Sequence, residues 1–259
     1  MSVTSVSRKP RGSESIPLLY PGDHLDQPEF HRRYEAYPDP DARFELIGGI
    51  VYMMLPTGYE HGSGEYRASG LLYLYELNTP GVEGAAGTTV ILGPASEPQP
   101  DALLMILPEC GGQARIQGFG DKHYVVGAPE LIWEVAHSSA AIDLNAKFKD
   151  YAAAGVKEYV VLCLGEQLLR WFDLPGSVEI TAGRDGVFKS KVFPGLWVNA
   201  KALVEGNTRR AAETLERGLA TPEHTAFVAA LSERRKGRGA VGGRGNRRVT
   251  KRRGKRGES

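Results

Sequence analysis

Residues 100–159 constrain the fold of this chain more than any other stretch. ALLMIL at 102–107, LIWEVA at 131–136 and EYVVLCL at 158–164 have the length and composition of buried strands, and a helical pattern lies between the last two. A strand, helix and strand of these lengths form a right-handed crossover with parallel strands. The stretch therefore predicts a sheet with at least one helix packed on it.

Two acids interrupt these apolar segments. Asp101 opens the first strand and Glu134 lies near the end of the second. An unpaired charge inside such a strand costs several kcal/mol or raises the pKa of the acid. If the two strands are antiparallel neighbours, the acids face each other across one rung, within reach of one cation. Ligands of this kind suit Mg²⁺ or Mn²⁺.

The helix after Glu134 adds a cation. Asp143, Lys147 and Tyr151 follow at intervals of four and are expected on one stripe. Lys147 would reach a phosphate or an attacking water from there; the alternative is a surface ion pair with Asp143, worth about 0.3 to 0.5 kcal/mol. The apolar face expected to dock on the sheet consists of Leu144, Phe148, Tyr151 and Ala152.

Several motifs in this order resemble a known family. They are PD at 100–101, EVAHSS at 134–139, the acid–lysine–tyrosine run at 143–151, GVKEYVV at 155–161, and upstream RFELIGGIVYMM at 43–54 and the EH pair at 60–61. Together they are similar to the Uma-type family of putative restriction endonucleases, within the PD-(D/E)XK nuclease superfamily. The resemblance covers roughly residues 40 to 205.

The resemblance implies a fold, a reaction and a site. The fold is α/β (mixed α+β), a restriction-endonuclease-like core whose central mixed sheet is flanked by helices and extended by an antiparallel meander. The implied activity is Mg²⁺-dependent (or Mn²⁺-dependent) hydrolysis of DNA phosphodiester bonds. Asp101 and Glu134 would hold the metal with the Val135 carbonyl, Lys147 would take the place of the signature lysine, and Glu45 matches an upstream acid.

Two departures from the family pattern keep alternatives open. The classical lysine position, two residues after the glutamate, holds Ala136, and an arginine common before the metal-binding aspartate is replaced by Gln99. The alternative to a nuclease is therefore a catalytically inactive nucleic-acid-binding or partner-binding protein that retains the nuclease fold. A third interpretation assigns the acids to structural ion pairs with arginines such as Arg115, which predicts no metal affinity.

Charge divides the chain unevenly. Residues 1–233 hold 20 Lys and Arg against 30 acids, a net charge of −10, whereas residues 234–259 hold 12 against 1, a net charge of +11. The basic end is rich in glycine and cannot form a core, so a disordered tail is expected. It would bind DNA phosphates non-specifically, or else remain solvated or dock on the acidic body. The tail residues expected to contact nucleic acid are Arg247, Arg248, Lys251, Arg252, Arg253, Lys255 and Arg256.

The remaining expectations concern organisation and compartment. We expect an irregular lead-in at 1–40, the nuclease-like domain at 41–205, a helical segment at 206–233 and the tail at 234–259. Apolar runs are only strand-sized and two cysteines give no disulfide framework, which favours a cytoplasmic protein without membrane contact. DNA is the expected partner, and self-association into a homodimer is left open.

Local patterns predict the smaller elements. Gly48-Gly49 between two apolar runs predicts a hairpin, in which Glu45 lies on an edge strand facing either water or the site. Residues 27–37 and 64–78 have helical patterns, and the second has apolar residues at Leu71, Leu74, Tyr75 and Leu77. The glycine-rich stretch 108–128 is expected to be a loop or flap over the site.

Overall fold

A computed structural model describes residues 16–136 and 142–242 of the chain. The strands are β1 (Phe44–Ile47), β2 (Ile50–Met53), β3 (Val82–Ala86), β4 (Val90–Ile91), β5 (Ala102–Ile106), β6 (Arg115–Phe119), β7 (Lys122–Val126), β8 (Leu131–Ala136), β9 (Glu158–Cys163), β10 (Leu168–Asp173), β11 (Val178–Ile180), β12 (Val187–Lys189) and β13 (Trp197–Asn199). The helices are α1 (Gln27–Glu35), α2 (Tyr59–Leu77), α3 (Phe148–Ala154), α4 (Ala200–Val204), α5 (Thr208–Leu219) and α6 (Pro222–Gly242). A 3₁₀ turn spans Pro108–Cys110, and a π-helical segment, Ile142–Lys147, leads directly into α3.

The centre of the molecule is a mixed six-stranded sheet in the order β11-β10-β9-β8-β5-β3. Its strands β5 and β8 are antiparallel, whereas β8 and β9 are parallel and joined through α3. Both features were predicted from the sequence. On the far side, β9, β10 and β11 form the predicted antiparallel meander, but β12 pairs with β13 in a separate ribbon.

The sheet is buried on both faces because β8 is apolar on both. Leu131, Trp133 and Val135 pack into a core with α2, while Ile132 and Ala136 pack with Tyr151 and Tyr159 on the opposite face. Glu134 belongs to the second set by alternation, so its side chain emerges on the α3 face. A strand covered on both faces has no solvent side for an acid, which is why Glu134 lies in the interior.

Close approach of α2 to β8 depends on one glycine. A Cβ at Gly64 would lie 2.9 Å from Cγ1 of Val135, a distance that side chains do not tolerate. The glycine therefore lets the first turns of α2 press against the end of β8 beside Glu134. The helix begins five residues earlier than the pattern predicted, at Tyr59, and this extension places His61 one turn before Glu65 on the helix.

Residues before the central sheet form a small unit around the predicted hairpin. Gly48 and Gly49 have φ of +58° and +79°, so both adopt the left-handed conformation that the tight turn between β1 and β2 requires. Leu19, Phe30 and Phe44 are buried in a local core there. This unit holds Glu45 against the main sheet.

The prediction of a loop at 108–128 was wrong. Residues 115–126 form the hairpin β6–β7, which joins β4 in a three-stranded sheet. Lys122 and Tyr124 of this hairpin bind Glu35 of α1, which anchors it to the N-terminal unit. Mixed polar and apolar residues there have strand periodicity, but the four glycines within residues 111–120 obscured it.

Several expectations fall at or beyond the limits of the described residues. Helix α6 continues past residue 233, where the tail was expected to begin, and ends at Gly242. His137, Ser138 and Ser139 of the EVAHSS motif lie outside the described residues, as do all seven tail residues from Arg247 to Arg256. Within the described part of the chain, no helix is long and apolar enough to cross a membrane. The cytoplasmic location stays a prediction.

Candidate active site

The two strand acids lie side by side, as the antiparallel register requires. Ala102 pairs with Trp133, so the next residues outward on the two strands are Asp101 and Glu134. The Val135 amide donates a hydrogen bond of 2.7 Å to Oδ2 of Asp101, which fixes that carboxylate at the end of β8. The sequence placed the Val135 carbonyl at a metal; in the structure it is the amide of Val135 that contacts the site, and the role of its carbonyl stays a prediction.

Lys147 is buried among acids rather than exposed on the helix surface. Its side chain is 3% exposed, and Nζ lies 3.0 Å from Oε1 of Glu134, 3.2 Å from Glu45 and 3.7 Å from Asp143. The alternative of a surface ion pair with Asp143 is therefore wrong. The structure brings together Glu45, Asp101, Glu134 and Lys147, the four catalytic candidates chosen from the sequence.

The π-helical segment turns the predicted stripe inward. Asp143, Lys147 and Tyr151 are all buried, so the polar stripe faces the sheet, whereas Phe148 is half-buried and Ala152 is exposed. π-helical turns are rare and occur frequently at functional sites. The sequence predicted which residues share a face but not that this face would be the buried one.

Tyr151 completes the surroundings of Glu134. Its hydroxyl donates a 2.7 Å hydrogen bond to Oε1 of Glu134, the same oxygen that Lys147 contacts. Burial raises the pKa of Glu134 well above its usual range, opposed by Lys147 and reinforced by Asp101. Burial alone would lower the pKa of Lys147, but the surrounding carboxylates Glu134 and Glu45 outweigh it and hold that pKa well above normal. The surrounding carboxylates therefore favour the protonated form of Lys147.

Glu45 faces the interior and not water. It is 1% exposed. Its Oε1 accepts a 2.7 Å hydrogen bond from the backbone amide of Gln99 and also contacts Nζ of Lys147. Gln99, which stands where the family often has arginine, donates its side-chain amide to Tyr34 at 2.9 Å. Gln99 thus joins the N-terminal unit to the site through hydrogen bonds instead of a charge.

A second group of ligands, on α2, was not selected from the sequence. One ligand atom each of His61, Glu65 and Asp101 lies within 4.8 Å of the others, close enough for one metal ion to bind all three. A 3.3 Å contact with Asp101 raises the pKa of His61, while burial, followed by the charge of Asp101, raises the pKa of Glu65. The i, i+4 spacing of His61 and Glu65 could have revealed this pair, had the helix been predicted to begin at Tyr59.

Most of these acids line one open cleft of about 360 Å³, together with His61 and Lys147, and Glu65 adjoins it. Its polar wall contains Glu45, Glu60, His61, Asp101, Glu134, Asp143 and Lys147. Its other wall is the apolar segment from Met53 to Pro56, which connects β2 to α2. Arg115 is exposed on β6 and donates to Gln117, so within the described residues it contributes no ion pair to this cluster. The cleft can admit an extended polyanion only if a cation offsets its acids.

Comparisons with known proteins identify a family from the sequence and a fold from the structure. A family profile described as "Uma2: Putative restriction endonuclease" matches residues 28–201. No curated protein sequence matches the chain. Among solved structures, the crystal structure of "a putative nuclease belonging to DUF820" from Anabaena variabilis ATCC 29413 has a TM-score of 0.54 and 13% sequence identity, covering 67% of this chain and 96% of that one. At this identity the likeness shows the fold, a mixed α/β restriction-endonuclease-like architecture, which confirms the predicted fold class.

Proposed function

The chain belongs to the Uma2 family of putative restriction endonucleases, and from this premise we propose that it is a divalent-cation-dependent DNA endonuclease. The observation that carries the proposal is the imbalance of charge in the cleft. Among the described residues, six carboxyl groups line or adjoin the cleft, against one lysine and one histidine: Glu45, Glu60, Glu65, Asp101, Glu134 and Asp143. An excess of carboxyl groups of this kind favours the binding of a cation.

The donor atoms suit a hard cation. Carboxylate oxygens with one imidazole favour Mg²⁺ or Mn²⁺, and Asp101 is common to both candidate ligand sets. The first set is the pair predicted from the sequence, Asp101 and Glu134 with the Val135 carbonyl. The second is Asp101 with His61 and Glu65, whose ligand atoms lie together. We propose that Asp101 would be the central ligand and that Glu134 and the α2 pair are the residues that would hold the cation with it.

The chain's own groups would then have separate roles in catalysis. A bound cation would polarise the scissile phosphate and lower the pKa of an attacking water. The Val135 amide holds Asp101 in place, and Tyr151 and Lys147 hold Glu134. Lys147 would orient the water or offset charge developing on the phosphoryl oxygens, and Glu45, in contact with Lys147, would keep that lysine charged and in position.

DNA contact is assigned in part to the basic tail. The body carries a net charge of −10 through residue 233 and therefore repels a polyanion, whereas the last 26 residues carry +11. We propose that the segment Arg247–Arg256 holds DNA through phosphate contacts without reading its sequence. By holding DNA, the tail would raise the local concentration of substrate near the cleft.

Cleavage of supercoiled plasmid with Mg²⁺ or Mn²⁺ tests the proposal. We expect nicking by the wild type and none by Asp101→Asn, Glu134→Gln or Lys147→Met, while Asp121→Asn, an exposed acid between β6 and β7, stays active. A chain ending at Gly242 should keep the catalytic centre but lose most of its salt-sensitive DNA binding.

An inert wild type would overturn the proposal if its folding is intact and both cations are supplied. Should that protein still retard DNA, and do so only with its tail, the alternative of a nucleic-acid-binding protein that retains the nuclease fold takes its place. Activity that survives Asp101→Asn would show that the catalytic centre does not depend on Asp101.

A further inference from the structure

Helix α2 lacks the charged outer face that a surface helix normally has. Its inner face packs on the sheet through Ala68, Leu71, Leu72 and Tyr75. Directly opposite lies a set of exposed residues that we call the tyrosine stripe. The tyrosine stripe consists of Tyr59, Gly62, Tyr66, Gly70, Tyr73 and Leu77. At 3.6 residues per turn these positions fall within a sector of about 80°.

The exposure of the stripe is unusual for its composition. Tyr59, Tyr66 and Tyr73 are 82%, 79% and 61% exposed, and Leu77 is 65% exposed. None of the six residues is charged. Tyrosine is enriched at protein interfaces, where its ring supplies contact area at low entropic cost. The residues thus have the character of an interface core and not of a solvated surface.

The two glycines in the stripe have no function within the monomer. A Cβ at Gly62 or Gly70 would meet nothing within 4 Å, and neither has a positive φ. Glycine inside a helix is unfavourable relative to alanine, so fold stability disfavours both positions. Gly64, two residues from Gly62, shows the contrast, because its Cβ would collide with Val135. Open glycines on an uncharged helix face allow another backbone to approach closely.

The spacing of the stripe is symmetric about Tyr66. From Tyr59 to Tyr73 the intervals are 3, 4, 4 and 3 residues, and the residue types read Tyr, Gly, Tyr, Gly, Tyr in both directions. Exposed leucines lie four residues outside each end, Leu55 in the preceding loop and Leu77 on the helix. A surface patch that meets its own copy across a two-fold axis must be complementary to itself, and this sequence is.

We propose that α2 is the interface of a homodimer in which two copies of the helix pack antiparallel about an axis at Tyr66. In this register Tyr59 faces Tyr73 of the second copy, Gly62 faces its Gly70, and the two Tyr66 rings meet at the axis. Three tyrosines can bury roughly 500 Å² per copy, or about 1,000 Å² in total, at the lower limit for a specific interface. The dimer therefore dissociates on dilution.

The dimer leaves both clefts accessible. His61 and Glu65 lie on the side of α2 that faces Asp101, away from the stripe. The two sites thus sit on the outer sides of the helix pair and are related by the same two-fold axis.

Analytical ultracentrifugation over a wide range of protein concentration tests the assembly. We expect a reversible monomer–dimer equilibrium for the wild type and a monomer for Tyr66→Glu, which places two carboxylates at the axis. Gly70→Gln should also be monomeric, since it inserts a side chain between the helices yet improves helix propensity and meets open space in the monomer. Tyr20→Glu, at a 60% exposed tyrosine outside α2, is the matched control and should dimerise.

Cysteine cross-linking tests the register. Under mild oxidation Tyr66→Cys should cross-link to itself, and Tyr59→Cys should cross-link to Tyr73→Cys in a mixture but not to itself; native Cys110 and Cys163 are buried. A wild type that stays monomeric throughout, a dimer that survives both Tyr66→Glu and Gly70→Gln, or self-cross-linking of Tyr59→Cys would each overturn the proposal. Because the readouts are mass and cross-linking, they do not depend on whether the protein cleaves DNA.

Discussion

Lys147 is the residue on which the interior of the site most depends. Its ammonium group contacts Glu45, Glu134 and Asp143, and its side chain is 3% exposed. We expect Lys147→Met to lower the free energy of unfolding by about 3 to 5 kcal/mol, since removing one partner of a buried ion pair leaves the other uncompensated. Urea denaturation measures this.

Lys149→Met, at an exposed position of α3, is the matched control and should change stability by less than about 0.5 kcal/mol. Equal effects of the two substitutions would show that the cluster around Lys147 is not held by its charge.

His31 is expected to make the stability of the N-terminal unit depend on pH. Its Nδ1 lies 2.8 Å from Oε1 of buried Glu97, and this hydrogen bond raises the pKa of His31 above its usual range. A histidine with a raised folded-state pKa contributes its full stabilisation below its unfolded pKa and loses it as pH rises through the folded value. We therefore expect wild type to exceed His31→Gln in stability more at about pH 6 than at about pH 9.

Glu97→Gln provides the thermodynamic partner for this test. The double variant should show no further loss of the pH-dependent component, because both single substitutions remove the same interaction. A stability difference between wild type and His31→Gln that grows toward high pH would contradict the assignment.

At the scale of the element, helix α2 determines how closely His61 and Glu65 approach Asp101. We expect Gly64→Ala to lower stability by about 1 to 3 kcal/mol, because the added Cβ overpacks against Val135 and pushes the helix from β8. Gly62→Ala, on the opposite side of the helix, meets open space and should stabilise the monomer by about 0.5 to 1 kcal/mol. Thermal denaturation of dilute protein compares the two, and effects of the same sign would contradict this packing.

The sequence predicted the elements that have a strong periodic signal. The β5–β8 pair, the β8–α3–β9 crossover and the glycine hairpin follow from strand composition and turn chemistry, which are local properties. The loop prediction at 108–128 failed because glycines weakened a real strand pattern. Of the apolar residues noted in α2, Leu71 and Tyr75 are buried but Leu74 and Leu77 are exposed, since a helix with apolar residues on several faces does not reveal which face is inward.

At the scale of the whole molecule, tertiary packing decided what the sequence left open. Glu45, Asp101, Glu134 and Lys147 were selected as candidates from motif order, and the fold gathers them in one cleft. The burial of Lys147 depends on the π-helical segment, and the contribution of His61 and Glu65 depends on where α2 begins. Neither property can be predicted from the local sequence pattern, because each follows from contacts between segments far apart in the chain.

The charge difference between the acidic body and the basic end determines what the proposed function requires. A cleft with excess negative charge excludes nucleic acid by itself, so catalysis on DNA requires a cation in the cleft and basic groups beside it. Cation binding is thus the property on which the proposed function rests.

Titration of the protein with Mn²⁺, followed by electron paramagnetic resonance, tests this property most directly. We predict saturable binding to the wild type, its loss in Asp101→Asn, and weaker binding in both Glu65→Gln and Glu134→Gln, while Asp121→Asn binds like the wild type. A wild type without saturable binding, or an Asp101→Asn variant that binds Mn²⁺ as tightly as the wild type, would contradict a metal centre at Asp101.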